Sequence, residues 1–371
     1  MKTYRKKLLI IILLVLAGIL TARAQQKEKT FSIGKNGKIE VNIDYGDIRL
    51  DTWGKDQVSV KYEEDEDEDL PSFRMVQNGN TLTITSGDYS SDNLVLTVPS
   101  LINLDLNTSG GEIKITGDIS GKVGCTTAGG DIEAKNINGN ADLNTAGGEI
   151  KSGKIDGDAE INSGGGDLQI GTITGTAILN TGGGNVQVTS VRKDLKIRTG
   201  GGNVNSGDVG GVFSVTTGGG NVSVQSVSSS AKVTTGGGNV SVGSASGKTS
   251  ATTGGGNLSF KNIKGGVDCY TGSGDVYVEL APDPKVNSEI KSGSGSVTLY
   301  LPENAKATVV AKVRGWDTWG EDNSSPITSD FKITTEDKSH STVKTTYIIN
   351  GGGSIIEVQT TSGEIYIKKQ K

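Results

Sequence analysis

The sequence predicts an all-β protein: a single-stranded parallel β-helix (β-solenoid) with an 18-residue coil and irregular β caps at both ends. Three observations predict this fold. Gly accounts for 56 of 371 residues while aromatic residues make up only 5%. The Gly clusters recur at a fixed step, and between them apolar residues alternate with polar ones, which is the period of a half-buried strand. The regular step favours a turn-rich repeat over a disordered Gly-rich chain.

A hydroxyl residue recurs every 18 residues and marks the coil. Its members are Thr127, Thr145, Ser163, Thr181, Thr199, Thr217, Thr235, Thr253 and Thr271. An earlier copy begins at Thr108, 19 residues before Thr127. Four apolar columns share the step, and their first members are Ile132, Ile119, Val123 and Cys125. One coil cannot bury its apolar side alone, so stacked coils are expected to build a continuous core.

The repeat divides the chain into four segments. Residues 1–24 resemble a signal peptide, with a basic start, an apolar stretch over 8–20 and the small-residue pattern Ala22-Arg23-Ala24. Residues 25–105 are predicted to form an N-terminal β cap, residues 106–295 the Gly-rich solenoid, and residues 296–371 a C-terminal β cap that protects the strand edges. The apolar stretch is short for a membrane span, so no transmembrane segment is expected in the mature chain.

Each repeat also carries a Gly run followed by an amide. The runs at 182–184, 200–202, 218–220, 236–238 and 254–256 are predicted to form the corners of the coil, since Gly reaches positive φ without strain. Stacked side chains on either side of these runs are predicted to form a structural ladder from coil to coil. The ladder residues are Asn185, Asn203, Asn221, Asn239, Asn257, Thr181, Thr199, Thr217, Thr235 and Thr253.

Cys125 and Cys269 occupy one interior column, 144 residues apart. That separation equals eight coils, or about 38 Å at the usual spacing of strands. A disulfide requires Cα atoms within about 7 Å. Both residues are therefore predicted to be buried free thiols.

The net charge and the residue types limit the classes of partner and cofactor that are expected. The formal net charge is −5, and removal of the five basic residues of the leader takes it to −10. An acidic surface argues against nucleic acid as a partner. No cofactor is expected, with calcium as the alternative at the acidic run 63–69 or at an acid column. That column contains Glu112, Asp131, Glu149, Asp167 and Asp275.

Catalysis has little support in the sequence, and no enzyme is predicted. The chain has one His, His340, and no Ser or Cys motif around it. Arg192, Lys193, Asp194 and Arg198 cluster in one coil, which leaves a carbohydrate-active β-helix enzyme as an alternative.

Several short motifs carry a resemblance to a known family. They are Asp47-Ile48-Arg49-Leu50-Asp51-Thr52-Trp53, Leu96-Thr97-Val98-Pro99, Val297-Thr298-Leu299-Tyr300-Leu301-Pro302 and Thr361-Ser362-Gly363-Glu364-Ile365-Tyr366-Ile367. With the Gly-rich coils, they make the chain resemble bacterial β-strand-repeat proteins of unknown function that are regarded as candidate adhesins, related to the head domain named for a Gly-Ile-Asn motif. The resemblance implies no catalytic residues.

The expected function is that of an exported, non-catalytic adhesin or scaffold at the cell surface, in the outer envelope or in the periplasm. Its expected partner is an unknown protein or glycan of the cell envelope. A periplasmic accessory protein that binds an envelope or sensory partner is the alternative from another class.

Overall fold

The structure, a computed structural model, describes residues 25–64, 73–86, 93–315, 325–339 and 341–370. Every regular element in these ranges is a β-strand. Successive coils stack through parallel strands in two sheets, A and B, so the predicted parallel β-solenoid is confirmed. The predicted signal peptide 1–24, residues 65–69 of the acidic run, and His340 lie outside the described residues.

The described residues of the N-terminal part form eight strands. They are β1 (Gln25–Ser32), β2 (Gly37–Ile43), β3 (Ile48–Trp53), β4 (Gln57–Glu64), β5 (Phe73–Asn78), β6 (Thr81–Ser86), β7 (Leu94–Pro99) and β8 (Ile102–Thr108). The coil of β2 and β3 comes first in the chain but second in space, because β2 pairs in parallel with both β6 and β8. Antiparallel strands cover the end: β5 pairs with β6, β4 pairs with β7, and β1 pairs with β4.

The repeat region continues in chain order with two main strands per coil. They are β9 (Ile113–Ile115), β10 (Ile119–Ser120), β11 (Val123–Thr127), β12 (Ile132–Ala134), β13 (Ile137–Asn138), β14 (Ala141–Thr145), β15 (Ile150–Ser152), β16 (Ala159–Ser163), β17 (Leu168–Ile173), β18 (Ala177–Thr181), β19 (Val186–Val191), β20 (Leu195–Thr199), β21 (Val204–Val209), β22 (Phe213–Thr217), β23 (Val222–Val227), β24 (Ala231–Thr235), β25 (Val240–Val242), β26 (Thr249–Thr253), β27 (Leu258–Gly265), β28 (Val267–Thr271), β29 (Val276–Pro282), β30 (Ser288–Ser292) and β31 (Val297–Leu301). Sheet A contains β19 and its equivalents, and sheet B contains β20 and its equivalents.

Register between coils follows the 18-residue step. Val186 pairs with Val204, and Leu195 pairs with Phe213, each 18 residues along the chain. The step lengthens after Thr271, whose partner in the next coil is Ser292. Equal coils keep equivalent residues in one column, which is the reason the apolar pattern of the sequence becomes a continuous core.

The core lies between the two sheets. Sheet A directs Val186, Val188 and Val191 inward, and sheet B directs Leu195 and Ile197 inward; all five are at most 2% exposed. The four predicted apolar columns are buried along their length. A fifth inward column, to which Val188 belongs, was not among the predicted four. Burial of such side chains contributes about 1.5–3 kcal/mol each, so every coil depends on its neighbours for stability.

The Gly runs have a different role from the predicted one. The runs lie within the described residues, and none of their glycines has a positive φ. The expectation that Gly supplies left-handed corners is therefore wrong here. Gly is needed because stacked backbones approach closely: a Cβ on Gly184 would lie 2.1 Å from the carbonyl oxygen of Gly166. A Cβ on Gly183, the middle residue of the same run, would have no atom within 4 Å.

The C-terminal part mirrors the N-terminal one. Its strands are β32 (Ala307–Arg314), β33 (Ile327–Ser329), β34 (Thr335–Ser339), β35 (Thr342–Ile349), β36 (Ser354–Thr360) and β37 (Ile365–Lys369). The last coil of the chain is again second from the end in space, because β36 pairs in parallel with both β30 and β32. Antiparallel pairing of β35 with β32 and of β34 with β35 covers this end.

Candidate functional site

The threonine column forms the inner edge of the Gly turns. The Thr199 hydroxyl donates to the carbonyl oxygen of Gly184 in the preceding coil at 2.9 Å. The same hydroxyl accepts the N–H of Gly202 in its own coil at 3.1 Å. Equivalent pairs of bonds are made by Thr181, Thr217, Thr235 and Thr253. These five Thr residues are at most 5% exposed. Their hydroxyls therefore bond the coils together and are not available to a ligand.

The asparagine column lies outside the turn and bonds mainly to the main chain. The Oδ1 of Asn185 accepts the backbone N–H of Asn203 at 3.0 Å. The same bond recurs from Asn203, Asn221, Asn239 and Asn257 to the next coil, at 2.7–2.9 Å. One amide-to-amide bond accompanies it, from Asn203 Nδ2 to Asn185 Oδ1 at 3.2 Å. Only an acceptor oxygen is required at this position.

The acid column uses the same geometry. Asp167 Oδ1 accepts the N–H of Asn185 at 2.7 Å, and Asp131 Oδ1 accepts the N–H of Glu149 at 2.7 Å. Asp275 accepts the N–H of Ser296 at 2.8 Å. Glu149 has a longer side chain and turns to Lys151 Nζ at 2.7 Å instead. Within the described ranges, no three His, Cys, Asp or Glu side chains converge in a way that could hold a metal ion.

A ladder of stacked amides does occur, on the outer face of sheet B. Asn162 Nδ2 donates to Asn144 Oδ1 at 2.7 Å, and Asn180 Nδ2 donates to Asn162 Oδ1 at 2.8 Å. Sequence reasoning did not assign these residues to a ladder. The available signal was their position, since each directly precedes a member of the hydroxyl column and must therefore point outward.

The two cysteines are free and buried, as predicted. Cys125 is 1% exposed and Cys269 is 5% exposed. Burial raises the pKa of the Cys269 thiol to about 12, and it raises the pKa of the Cys125 thiol further. Both groups are therefore neutral thiols at physiological pH, without the thiolate character that a nucleophile needs.

The four residues of the cluster considered for catalysis have two different roles: Asp194 bonds two coils together, and the three basic residues are exposed to solvent. The carboxylate of Asp194 accepts the backbone N–H of Val212 at 2.8 Å, so it joins two coils like the aspartates of the acid column. Arg192, Lys193 and Arg198 are exposed. The group holds no paired carboxylates of the kind that glycoside hydrolysis uses.

Three tyrosines that sequence reasoning missed lie on adjacent strands at the outer face of sheet A. Tyr277, Tyr300 and Tyr366 lie on β29, β31 and β37, and the rings of Tyr277 and Tyr300 are 5.3 Å apart. The Tyr277 hydroxyl donates to Glu279 Oε1 at 2.5 Å, and this bond, with burial, raises the pKa of Tyr277 to about 12. The Tyr366 hydroxyl donates to Glu364. In the column of Tyr277, the preceding coils from Lys114 to Ser259 carry Ser, Asn, Gln, Lys or Glu, so the aromatic group lies at the C-terminal end of this column.

The fold and the ladder columns define a Gly-rich parallel β-solenoid protein whose repeated polar residues are structural. Residues 172–337 match the family model described as Toastrack DUF4097, a family of unknown function. The resemblance predicted from the sequence is thereby confirmed. No helix that could cross a membrane is found in the part of the chain that the structure describes.

Solved structures similar to the chain include three bacterial proteins. One is a proposed adhesin from Parabacteroides distasonis, 14% identical, with a TM-score of 0.32, covering 71% of this chain and 96% of that chain. Another is a proposed adhesin from Parabacteroides merdae, 13% identical, with a TM-score of 0.28, covering 70% and 95%. A proposed cell adhesion protein from Clostridium sporogenes is 13% identical, with a TM-score of 0.18, covering 94% and 100%. The comparison with curated proteins found no match.

Proposed function

We propose that the protein is an exported, non-catalytic β-solenoid that serves as an adhesin or scaffold at the cell surface or in the outer envelope. One observation carries this proposal. The polar groups that repeat most regularly, the Thr hydroxyls and the Asn and Asp oxygens, are engaged in hydrogen bonds between coils. What remains for partners is the outer faces of a long stacked body, which suits binding along a surface rather than chemistry in a pocket.

The segments follow from the same proposal. Residues 1–24 act as the leader, because their basic start, apolar stretch and small-residue pattern are those of secreted proteins. Residues 25–105 and 296–371 act as caps around the solenoid of residues 106–295. Antiparallel strands in both end segments support this role, since they cover strands whose backbone would otherwise be open to other chains. The mature chain, with its net charge of −10, is unsuited to nucleic acid.

Protease treatment of intact cells tests the location. The protein is expected to be digested while a known periplasmic protein in the same cells survives. Digestion only after the outer layer is breached would contradict a surface adhesin and would favour the periplasmic accessory protein. A blot for the protein and for the periplasmic control reads both outcomes from one sample.

A further inference from the structure

One face of the solenoid carries basic side chains that have no salt bridge within the described part of the chain. Lys196 and Arg198 lie on β20 with exposed side chains, and Lys232 occupies the same outward position as Lys196 two strands further along sheet B. Arg192 and Lys193 are exposed in the turn before β20. These five residues are called the basic face.

The cross-strand neighbours of Lys196, Arg198 and Lys232 are neutral. Lys196 lies between Ile178 and Ser214 in the adjacent strands. Arg198 lies between Asn180 and Thr216 in the same way. Lys232 lies between Ser214 and Ser250. None of the five forms a salt bridge with any residue that the structure describes.

The nearest carboxylates accept hydrogen bonds from other groups or lie further along the sheets, so they offset the five positive charges only in part. Asp194 accepts the N–H of Val212, and Asp208 accepts the hydroxyl of Ser226 at 2.5 Å. Asp156, which lies two coils before Arg192, accepts hydrogen bonds from Thr174 and Lys154, and these bonds lower its pKa more than the charge of Arg192 does. Glu160 is two strands from Lys196, on the far side of Ile178.

Elsewhere the protein places lysines beside carboxylates. Lys248 pairs with Asp268 at 2.5 Å, Lys151 pairs with Glu149 at 2.7 Å, and Lys114 pairs with Glu133. Lys196, Arg198 and Lys232 instead lie within three adjacent strands of sheet B, so their positive charges are concentrated in one region. Exposed cations without partners are attractive to an anionic ligand, particularly when the rest of the surface is acidic and repels it.

We propose that the basic face binds an anionic polysaccharide. The Arg198 guanidinium can hold a carboxylate or sulfate group through two parallel hydrogen bonds, and the lysines add point charges along the same face. The exposed Thr216 hydroxyl, beside Arg198, can bond sugar hydroxyls. A nucleic acid duplex fits poorly, because its dense charge would extend from the five cations over acidic positions such as Glu160 and Asp268. The proposal names the ligand class of the proposed adhesin and rests on that function.

Binding of the purified mature chain to immobilised polysaccharides tests the proposal. The probes are polygalacturonate, which carries carboxylates, heparin, which carries mainly sulfates, and dextran, which is neutral. We expect the chain to bind at least one of the two anionic probes, to be released by salt, and not to bind dextran. The anionic probe with the higher affinity identifies which anionic group the face prefers.

Two triple variants with the same change of charge locate the binding. Lys196→Gln/Arg198→Gln/Lys232→Gln removes the basic face, and Lys114→Gln/Lys151→Gln/Lys248→Gln removes three lysines that already have partners. The first is expected to weaken binding by about tenfold or more, since three exposed charge-assisted contacts together are worth roughly that factor. The second is expected to bind as the unchanged protein does. The single variant Arg198→Gln should show a smaller loss in the same direction and serves if the first triple variant does not fold.

Three results would overturn the proposal. They are no binding of the unchanged chain to either anionic probe, an equal loss of affinity in both triple variants, and dextran binding that persists without the basic face. Each of these leaves the cellular location untouched, since the protease experiment measures location independently. Surface exposure without polysaccharide binding would retain the proposed function and remove only this ligand.

Discussion

The hydroxyl of Thr217 lies 3.0 Å from the carbonyl oxygen of Gly202, one coil away, and 3.2 Å from the N–H of Gly220 in its own coil. One side chain therefore bonds within its own turn and also to the turn of the preceding coil. Because Thr217 is 3% exposed, water cannot replace either bond without rearrangement.

Replacing Thr217 by Val should lower the free energy of unfolding by about 1–3 kcal/mol, because a buried carbonyl and a buried N–H lose their partner. Thr217→Ser keeps the hydroxyl and should change stability by less. Ser163 already occupies the column and makes the same two bonds. Chemical denaturation of both variants measures the difference, and an equal effect of Val and Ser would show that the hydroxyl is not responsible.

Two adjacent glycines should respond oppositely to the same substitution. A Cβ on Gly238 would lie 2.0 Å from the carbonyl oxygen of Gly220, whereas a Cβ on Gly237 would meet nothing within 4 Å. Gly238→Ala should destabilise by about 1–3 kcal/mol through backbone displacement. Gly237→Ala should be neutral or slightly stabilising, since it reduces the entropy of the unfolded chain. Thermal unfolding compares the pair, and similar losses would refute close packing of the coils as the cause.

The ladder at Asn221 should accept a change of charge but not the loss of its oxygen. Its Oδ1 accepts the N–H of Asn239 at 2.8 Å. Asn221→Asp keeps an acceptor and should leave stability nearly unchanged, as Asp167 does at the equivalent place. Asn221→Ala should cost about 0.5–1.5 kcal/mol. If Asp proved as harmful as Ala in chemical denaturation, the amide N–H groups rather than the oxygen would be the stabilising part.

The thiol of Cys269 should be unreactive in the native protein. Because burial raises the pKa of its thiol from 9.0 to about 12, it should react with thiol reagents at pH 8 only after unfolding. Its contribution to stability is complete below pH 9 and is lost as the pH rises from about 9 toward 12, where the unfolded chain releases the proton more readily.

The control for this titration is Cys269→Val. This variant should show a shallower loss of stability over the same pH range, because tyrosines and lysines titrate equally in both proteins. Unfolding curves at several pH values give the comparison. Parallel losses in the two proteins would contradict a shifted Cys269.

The buried residues of the interior were largely predictable, because the side of a strand that a residue faces depends on its position along that strand. Alternate residues of a strand point to the same side, and equal coils superimpose equal positions, so the columns that begin at Ile132 and Cys125 could be read directly. The fifth inward column was harder to read, because Ser152 and Ser206 interrupt its apolar pattern although both are buried. The Asn residues that follow the Gly runs were predicted to form a ladder of stacked side chains. The sequence already places Asp167 in the same column as Asn185, which indicates that this position needs only an acceptor oxygen.

The order of the end coils could not be predicted in the same way. The coil of β2 and β3 is inserted between two coils that follow it in the chain, and the coil of β36 and β37 is inserted between two that precede it. Nothing in the alternation of Lys38-Ile39-Glu40-Val41 specifies which strand lies beside it. Strand pairing is a choice among distant segments, and backbone hydrogen bonds are nearly independent of side-chain identity.

By itself, the sequence determined the fold class, the 18-residue coil, the buried columns and the separation of the two thiols, because periodicity translates directly into which side a residue faces. Tertiary structure alone decided why Gly is required at the turns, where the polar side chains find their partners and which strands neighbour each other at the ends. It also decided that neutral residues flank Lys196 and Arg198 in the adjacent strands. Those features depend on distances between coils, and such distances exist only after the chain has stacked upon itself.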